Sequence, residues 1–244
     1  MTSPTATTPD PRFSDLERAL AAAGPAPRLI WYGSAGDRIE LSGAVLLNWA
    51  AKTANLLVEE CDVEPGAAVR LALPVHWRTL AIALGAWQAG ADLRTGADAG
   101  PVAVHVDVAP SADGELRADQ DVVVALGALD LAWPGQLPPD VLDYAALVRS
   151  FGDGFGGDPA SGPLGLYRDG RSVALGESAA DEPGTGGSVM EPGRARALDP
   201  ALDLAATLEA AVDAWLDGVA VLITDDAERL TDAVLASERA VRAS

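Results

Sequence analysis

The chain has 244 residues, with 36 Asp or Glu against 17 Lys or Arg, so its formal net charge is -19 at pH 7. Because nucleic acids and anionic membranes attract basic surfaces, this charge argues against both as main partners. A chain of this length buries roughly three quarters of the surface that its unfolded form exposes, which is enough for one compact unit or two subdomains.

The compartment follows from cysteine usage and from the first residues. A single cysteine, Cys61, cannot form an internal disulfide. The opening residues MTSPTATTPDP lack the basic region and apolar core of a signal peptide, and no stretch approaches the apolar length of a membrane helix. We therefore expect a cytoplasmic protein, with residues 1–11 as a disordered tail.

The first predicted elements are a helix and a hairpin. Ser14 and Glu17 have the spacing of a capping box, which predicts a helix start, and Gly24-Pro25 predicts its end. Residues 28–32 and 38–41 read as two strands of a hairpin.

Residues 41–93 predict helix, turn, strand, helix and strand, the alternation from which parallel sheets are built. Ser42 is the expected N-cap of the first helix, and Glu64-Pro65-Gly66 forms the turn. Residues 69–73 then form a strand, and residues 76–88 form the second helix. Helical spacing assigns opposite faces of the first helix to two sets of residues. The apolar face holds Leu46, Trp49, Ala50, Thr53 and Leu57, and the solvent face holds Asn48, Lys52, Asn55 and Glu59.

The remaining elements alternate in the same way. Strands are predicted at 102–106, 121–126 and 219–223, and a hairpin turns at Asp169-Gly170. Three aspartates are the expected starts of helices. They are Asp140, Asp199 and Asp225.

The region 12–94 resembles the opening of adenylate-forming enzymes, the AMP-binding acyl-CoA synthetase superfamily. The matching residues are Ala54, Asn55, Leu56, Leu57, Val63, Pro65, Gly66, Val69, Leu71, Leu73, Pro74, Ala89, Gly90 and Ala91. The sequence departs from the pattern at Cys61 and Asp62, where a glycine is usual, and at Ala67, which replaces an aspartate.

The resemblance implies an α/β fold of layered parallel or mixed sheets with flanking helices, like a truncated acyl-CoA synthetase N-terminal domain. On this basis residues 12–175 form the synthetase-like region. Residues 176–198 form a Gly/Pro-rich loop, and residues 199–244 form a helix–strand–helix element on the same core.

Enzymes of this superfamily hold ATP phosphates with a Ser/Thr/Gly-rich loop that ends in lysine, and a mobile C-terminal domain supplies a catalytic lysine. The weak candidates for such a loop here are Thr185, Gly186, Gly187 and Ser188. No lysine follows them, and we expect the chain to lack the C-terminal domain. ATP or AMP binding is therefore implied by resemblance alone.

We expect a non-catalytic binding or regulatory module for a small acyl or adenylate ligand. One alternative is a divergent acyl ligase that uses Arg194 or Arg196 in place of lysine. Another is an interaction module with a protein partner or a second copy, because a sheet that is cut short exposes strand edges.

The other motifs give less information about function. Residues 152–157 match G-x-G-x-x-G but lack the preceding strand and following helix of a dinucleotide site. His76 and His105 have no adjacent nucleophile and are expected to pack or cap. Cys61, at a helix end beside acidic residues, is expected to be an inert thiol with a raised pKa. No metal site is expected.

Overall fold

The computed structural model describes residues 10–127, 130–158, 160–176 and 194–243. Its strands are β1 Pro27–Tyr32, β2 Arg38–Ser42, β3 Ala68–Ala72, β4 Asp92–Thr95, β5 Val104–Asp107, β6 Gln120–Val123, β7 Val141–Asp143, β8 Gly165–Arg168, β9 Arg171–Ser172, β10 Ala195–Ala197, β11 Ala220–Thr224 and β12 Ala240–Arg242. Its α-helices are α1 Phe13–Ala21, α2 Gly43–Cys61, α3 Trp77–Gln88, α4 Tyr144–Leu147, α5 Leu204–Leu216 and α6 Asp232–Ser237. Short 3-10 helices cover Val148–Ser150 and Ala227–Arg229. No helix in these ranges is long and apolar enough to cross a bilayer.

The strands form two mixed sheets. The larger has the order β7-β6-β5-β3-β4-β8-β9 and is parallel except for the β8–β9 hairpin. The smaller has the order β12-β10-β11-β1-β2 and is parallel except for the β1–β2 hairpin. The predicted α/β class with layered sheets is therefore confirmed.

The main core lies between the two sheets, where α1, α2, α3 and α5 pack. Helix α2 packs on α3 and contacts β1 and β2, whereas α3 contacts β3 and β4. One continuous buried cluster joins these helices to both sheets. Ser42 caps α2 as predicted, since its Oγ accepts a hydrogen bond from the Val45 amide at 3.4 Å.

Four of the predicted helix starts are wrong. Helix α1 begins at Phe13, with Asp15 accepting from the Arg12 amide at 3.0 Å, so Ser14 and Glu17 do not form its capping box. The other three wrong starts are Asp140, Asp199 and Asp225. The observed N-caps are Asp143 for α4, Asp203 for α5, Asp226 for the second 3-10 helix and Thr231 for α6.

The physical reason is that Ser, Thr and Asp can bond many local turns, and tertiary packing selects among them. The segment after Asp140 pairs with β6 as strand β7 instead of starting a helix. Ala195–Ala197, placed in the predicted loop 176–198, is strand β10 and pairs with β11 and β12.

Glu238 joins α6 to the first hairpin and supports a pH prediction. Its carboxylate accepts from Arg38 Nε at 2.8 Å and from the Tyr32 hydroxyl at 2.5 Å. The Arg38 hydrogen bonds hold the pKa of Glu238 below its ordinary value of 4.5. A carboxylate with a lowered folded-state pKa stabilises the fold above its unfolded pKa, and this contribution is lost as the pH falls through the lowered value.

We expect Glu238→Gln to lower the free energy of unfolding by about 2 kcal/mol near neutral pH. The difference from the natural chain should shrink progressively as the pH is lowered from 7 to below 4.5, because the lowered pKa of Glu238 makes its stabilising contribution disappear on protonation. Urea denaturation at both ends of this range measures it, with Glu40→Gln as the control because Glu40 is exposed and bonds the same arginine. A difference that is independent of pH would contradict the assignment.

Candidate functional site

Strands β1, β3, β6 and β11 end at one crevice, a cavity of about 260 Å³ between the two sheets. In α/β proteins, ligands bind outside the carboxyl ends of parallel strands, so this is the first place to seek a site. The crevice is lined by residues that include Trp31, Ser34, Val75, His76, Gly127 and Asp225.

His76 is the polar centre of the crevice. It caps α3, because its Nδ1 accepts a hydrogen bond from the Arg78 amide at 3.1 Å. Burial, and then the neighbouring Arg78 charge, lower the pKa of His76 to about 3. The ring is therefore neutral with its proton on Nε2. That Nε2–H is buried and has no hydrogen-bond partner among the described residues.

Trp31 supplies a second donor. Its ring meets the His76 ring edge to face, with centroids 4.4 Å apart. Its indole Nε1–H is also buried without a partner in the described part of the chain. The ring lies against Gly33, where a Cβ would come within 2.4 Å of it, so only glycine fits there. Two residues that line the crevice thus each have a buried N–H group without an acceptor among the described residues.

Ser34 and Asp225 connect the hairpin loop to the end of β11. Asp225 accepts from the Ser34 amide at 2.7 Å and from its hydroxyl at 3.2 Å. Arg229 also donates to the Ser34 carbonyl at 3.2 Å. These bonds fix one wall of the crevice and place a carboxylate in it.

An apolar groove of about 520 Å³ lies beside Trp77. Its walls come from β2, α2, α3, α4 and the loop before β7. The rings of Trp49 and Trp77 form one side, edge to face with centroids 5.4 Å apart. The residues that line it include Ile39, Leu41, Trp49, Trp77, Leu131 and Tyr144.

Arg78 fixes the loop between crevice and groove. Its side chain is only 5% exposed and donates to the carbonyls of Ala125 and, at 2.8 Å, Asp130. The guanidinium also lies 5.1 Å from the centre of the Trp77 ring. Burial lowers the pKa of Arg78, yet an arginine side chain stays protonated. The groove therefore has one buried cation near its apolar wall.

The glycine segment, residues 152–157, is held by two residues of α2. Asn55, only 6% exposed, donates to the Gly154 carbonyl and accepts from the Gly156 amide, both at 2.9 Å. Lys52 Nζ donates to the Phe151 carbonyl at 2.6 Å and pairs with Asp153 at 2.8 Å. A 3-10 helix precedes the segment and β8 follows it, so the context of a dinucleotide site is absent here.

The prediction that Asn55 lies on the solvent face of α2 is wrong, because its side chain is buried. The partners of Asn55 lie about a hundred positions along the chain, beyond any helical pattern. The one available signal was its type, because asparagine is a poor residue for the middle of a helix.

Two other candidates have structural roles. Burial, followed by the charges of Glu60 and Asp62, raises the pKa of Cys61 to about 12, which agrees with an inert thiol. His105 is 2% exposed on β5, and Arg117 Nη1 lies 2.9 Å from its Nε2. Burial lowers the pKa of His105, so it is a neutral packed residue.

The phosphate-loop candidates Thr185, Gly186, Gly187 and Ser188 lie outside the described residues. Arg196 lies on β10 and pairs with Asp217 at 3.2 Å. Arg194 likewise has an interaction of its own. Within the described ranges, no three His, Cys, Asp or Glu side chains are grouped as metal ligands.

The two sheets with helices between them define a class, the fold of acyl-CoA synthetases. A Brucella canis acyl-CoA synthetase matches 90% of this chain with a TM-score of 0.66 and 16% identity. A Mycobacterium tuberculosis fatty acyl CoA synthetase matches 94% with a TM-score of 0.59 and 17% identity. The chain spans only 44% and 48% of these two proteins, and at such identities the likeness shows the fold alone.

One relative has a higher sequence identity than these two structures. The chain is 37% identical over 155 residues to a Mycobacterium tuberculosis protein described as "TIGR03089 family protein". The match covers 61% of this chain and 63% of that protein. No protein-family model matches the sequence.

Proposed function

We propose that this chain is a non-catalytic acyl-binding module built on an acyl-CoA-synthetase-like fold. The observation that carries the proposal is the apolar groove of about 520 Å³ beside Trp49 and Trp77. This volume lies within the range of small-molecule sites, roughly 300–1,000 Å³, and an apolar lining suits a hydrocarbon chain.

We place the polar end of such a ligand toward the crevice, whose lining includes His76 and Trp31. His76 Nε2–H and Trp31 Nε1–H are buried donors without acceptors in the described structure. An unpaired buried donor costs about 1–3 kcal/mol, so an oxygen of a bound acyl group would relieve that cost. Because His76 is neutral and Asp225 lies in the same cavity, a carbonyl oxygen suits this end better than an anion.

We infer the absence of adenylation activity from the number and position of the lysines in the chain. Lys52 is the only lysine of the 244 residues. Its ammonium group is engaged with Phe151 and Asp153, away from the crevice. The chain therefore offers no lysine in the crevice to neutralise a triphosphate or an acyl phosphate.

Binding is tested with decanoic acid and its methyl ester by calorimetry, with tryptophan fluorescence as a second readout. We expect saturable binding, tighter for the ester, and a loss of at least about tenfold in affinity for Ile39→Lys. The substitution places a charge on the wall of the groove. The matched control is Val45→Lys, at an exposed position on α2, and should change affinity by less than about twofold. Failure of both ligands to bind, or equal effects of the two variants, would refute an acyl groove.

Catalysis is tested separately by ATP–pyrophosphate exchange with a panel of carboxylic acids. We expect no exchange above background, even with acids that bind. Robust exchange by the pure protein would refute the claim that the chain is non-catalytic. It would not affect the claim that the chain binds an acyl group.

A further inference from the structure

Four side chains form a row across the outer face of the larger sheet, the face turned away from the helices. Tyr167, Arg94, Arg70 and His105 are direct Cα partners on β8, β4, β3 and β5. We call these four residues the arginine row. The adjacent row points to the helices and is buried and apolar, with Leu166, Leu93, Val69 and Val104.

The arginine row is partly covered, since Arg70, Arg94 and Tyr167 are half-buried and His105 is 2% exposed. The connections at 96–103 and 108–119, which join β4 to β5 and β5 to β6, contain no helix. Parallel sheets are normally covered by helices on both faces, and their strands are then apolar on both sides. The polar row on a parallel sheet therefore needs a reason other than core packing.

Neither arginine of the row forms an ion pair with a carboxylate of the described chain. Arg70 Nη2 donates to the Gly96 carbonyl at 3.0 Å, and Arg94 Nη1 donates to the Ala99 carbonyl at 3.2 Å. The Nε of each is buried and has no partner within the described ranges. Each guanidinium has five N–H groups, so most of its donor capacity is unused.

This is unexpected in so acidic a chain. Like charges on directly opposed strand positions destabilise a sheet, and 36 acidic residues are available to neutralise them. Arg117, close by on the same face, shows the ordinary outcome, since it pairs with Asp107 and Asp121. Arg94 instead lies 5.2 Å from the centre of the Tyr167 ring, which fixes the plane of its guanidinium.

We propose that Arg70 and Arg94 form a binding site for a phosphate monoester dianion of a small molecule. A phosphate carries the two negative charges that two adjacent guanidinium groups require, and its oxygens accept the paired N–H groups of arginine. Arg94, oriented by Tyr167, and Arg70, oriented by the Gly96 carbonyl, present their remaining donors on one face. This site lies on the opposite side of the sheet from the helices and is independent of the acyl groove.

The test is calorimetric titration of the full chain with phenyl phosphate, inorganic phosphate and sulfate at constant ionic strength. We expect saturable binding of both phosphates, with phenyl phosphate, an organic monoester, bound more tightly than inorganic phosphate or sulfate. Arg70→Gln and Arg94→Gln should each weaken binding by about tenfold or more. Arg171→Gln, at an exposed arginine on β9, is the matched control and should change affinity by less than roughly twofold.

Arg70→Lys and Arg94→Lys keep the charge but remove the paired N–H geometry, and they serve if a glutamine variant does not fold. Either lysine variant should still lose several-fold in affinity. The proposal is overturned if neither phosphate binds below about 10 mM. It is equally overturned if the row variants and Arg171→Gln behave alike, because binding would then reflect general salt attraction.

Discussion

Replacing Asn55 with alanine is expected to lower the free energy of unfolding by about 3 kcal/mol. The amide of Asn55 makes two bonds of 2.9 Å and a longer one of 3.4 Å to the glycine segment. Each buried bond contributes about 1 kcal/mol, and its loss leaves backbone groups unpaired. Lys52 and the packing of Phe155 against the main core also hold the segment, so the loss of Asn55 weakens its attachment without releasing it.

Urea denaturation followed by tryptophan fluorescence measures this loss. Asn48→Ala is the matched control, because Asn48 is on the same helix but exposed, and its effect should stay within about 0.5 kcal/mol. Asn55→Asp should cost at least as much as alanine, since a carboxylate cannot donate to the carbonyls of Gly152 and Gly154. A tolerated aspartate would show that these bonds do not hold the glycine segment.

Replacing Gly85 with alanine is expected to destabilise the chain by about 2 kcal/mol through overpacking. Helix propensity alone predicts the opposite, a gain of about 1 kcal/mol. Gly85 lies where α3 crosses α2, and an added Cβ would lie 2.4 Å from Thr53 Cβ and 2.8 Å from the Ala50 carbonyl oxygen. The two helices must therefore separate, because neither obstacle is the free end of a flexible side chain.

Gly85→Ala should also change the geometry of the acyl groove. Helices α2 and α3 carry Trp49 and Trp77, and Thr53 shares a hydrogen bond of 2.8 Å with the Tyr144 hydroxyl. We expect Gly85→Ala to alter the near-ultraviolet circular dichroism of the tryptophans as well as stability. Gly162→Ala is the control, because a Cβ there meets nothing within 4 Å. A stabilised Gly85→Ala variant would refute the close packing of the two helices.

These two predictions connect stability to the proposed site. Both concern α2, whose buried side contacts α3 and whose next face reaches the glycine segment. Helix α2 thus fixes one wall of the groove and the position of the glycine segment at once. A variant that moves α2 should weaken acyl binding, whereas a variant in the arginine row should leave it unchanged.

The sequence alone determined the class of the fold and several local features. Apolar spacing along α2, α3 and α5, the Ser42 cap and the Asp169-Gly170 turn all depend on residues a few positions apart. Asp169 and Gly170 have φ values of 47° and 73°, as the predicted hairpin turn requires. The sequence also identified His76 as a capping or packing residue, and the cap is confirmed.

Only the tertiary structure decided which residues meet. The crevice combines Trp31, His76, Gly127 and Asp225, which are brought together because parallel strands of two sheets end at the same place. Asn55 binds residues about a hundred positions away, and Arg70 meets Arg94 through strand register. Periodicity and caps record short-range preferences, whereas these contacts depend on strand order and on which competing aspartate starts each helix. The local elements could therefore be predicted from the sequence, whereas the site that they build could not.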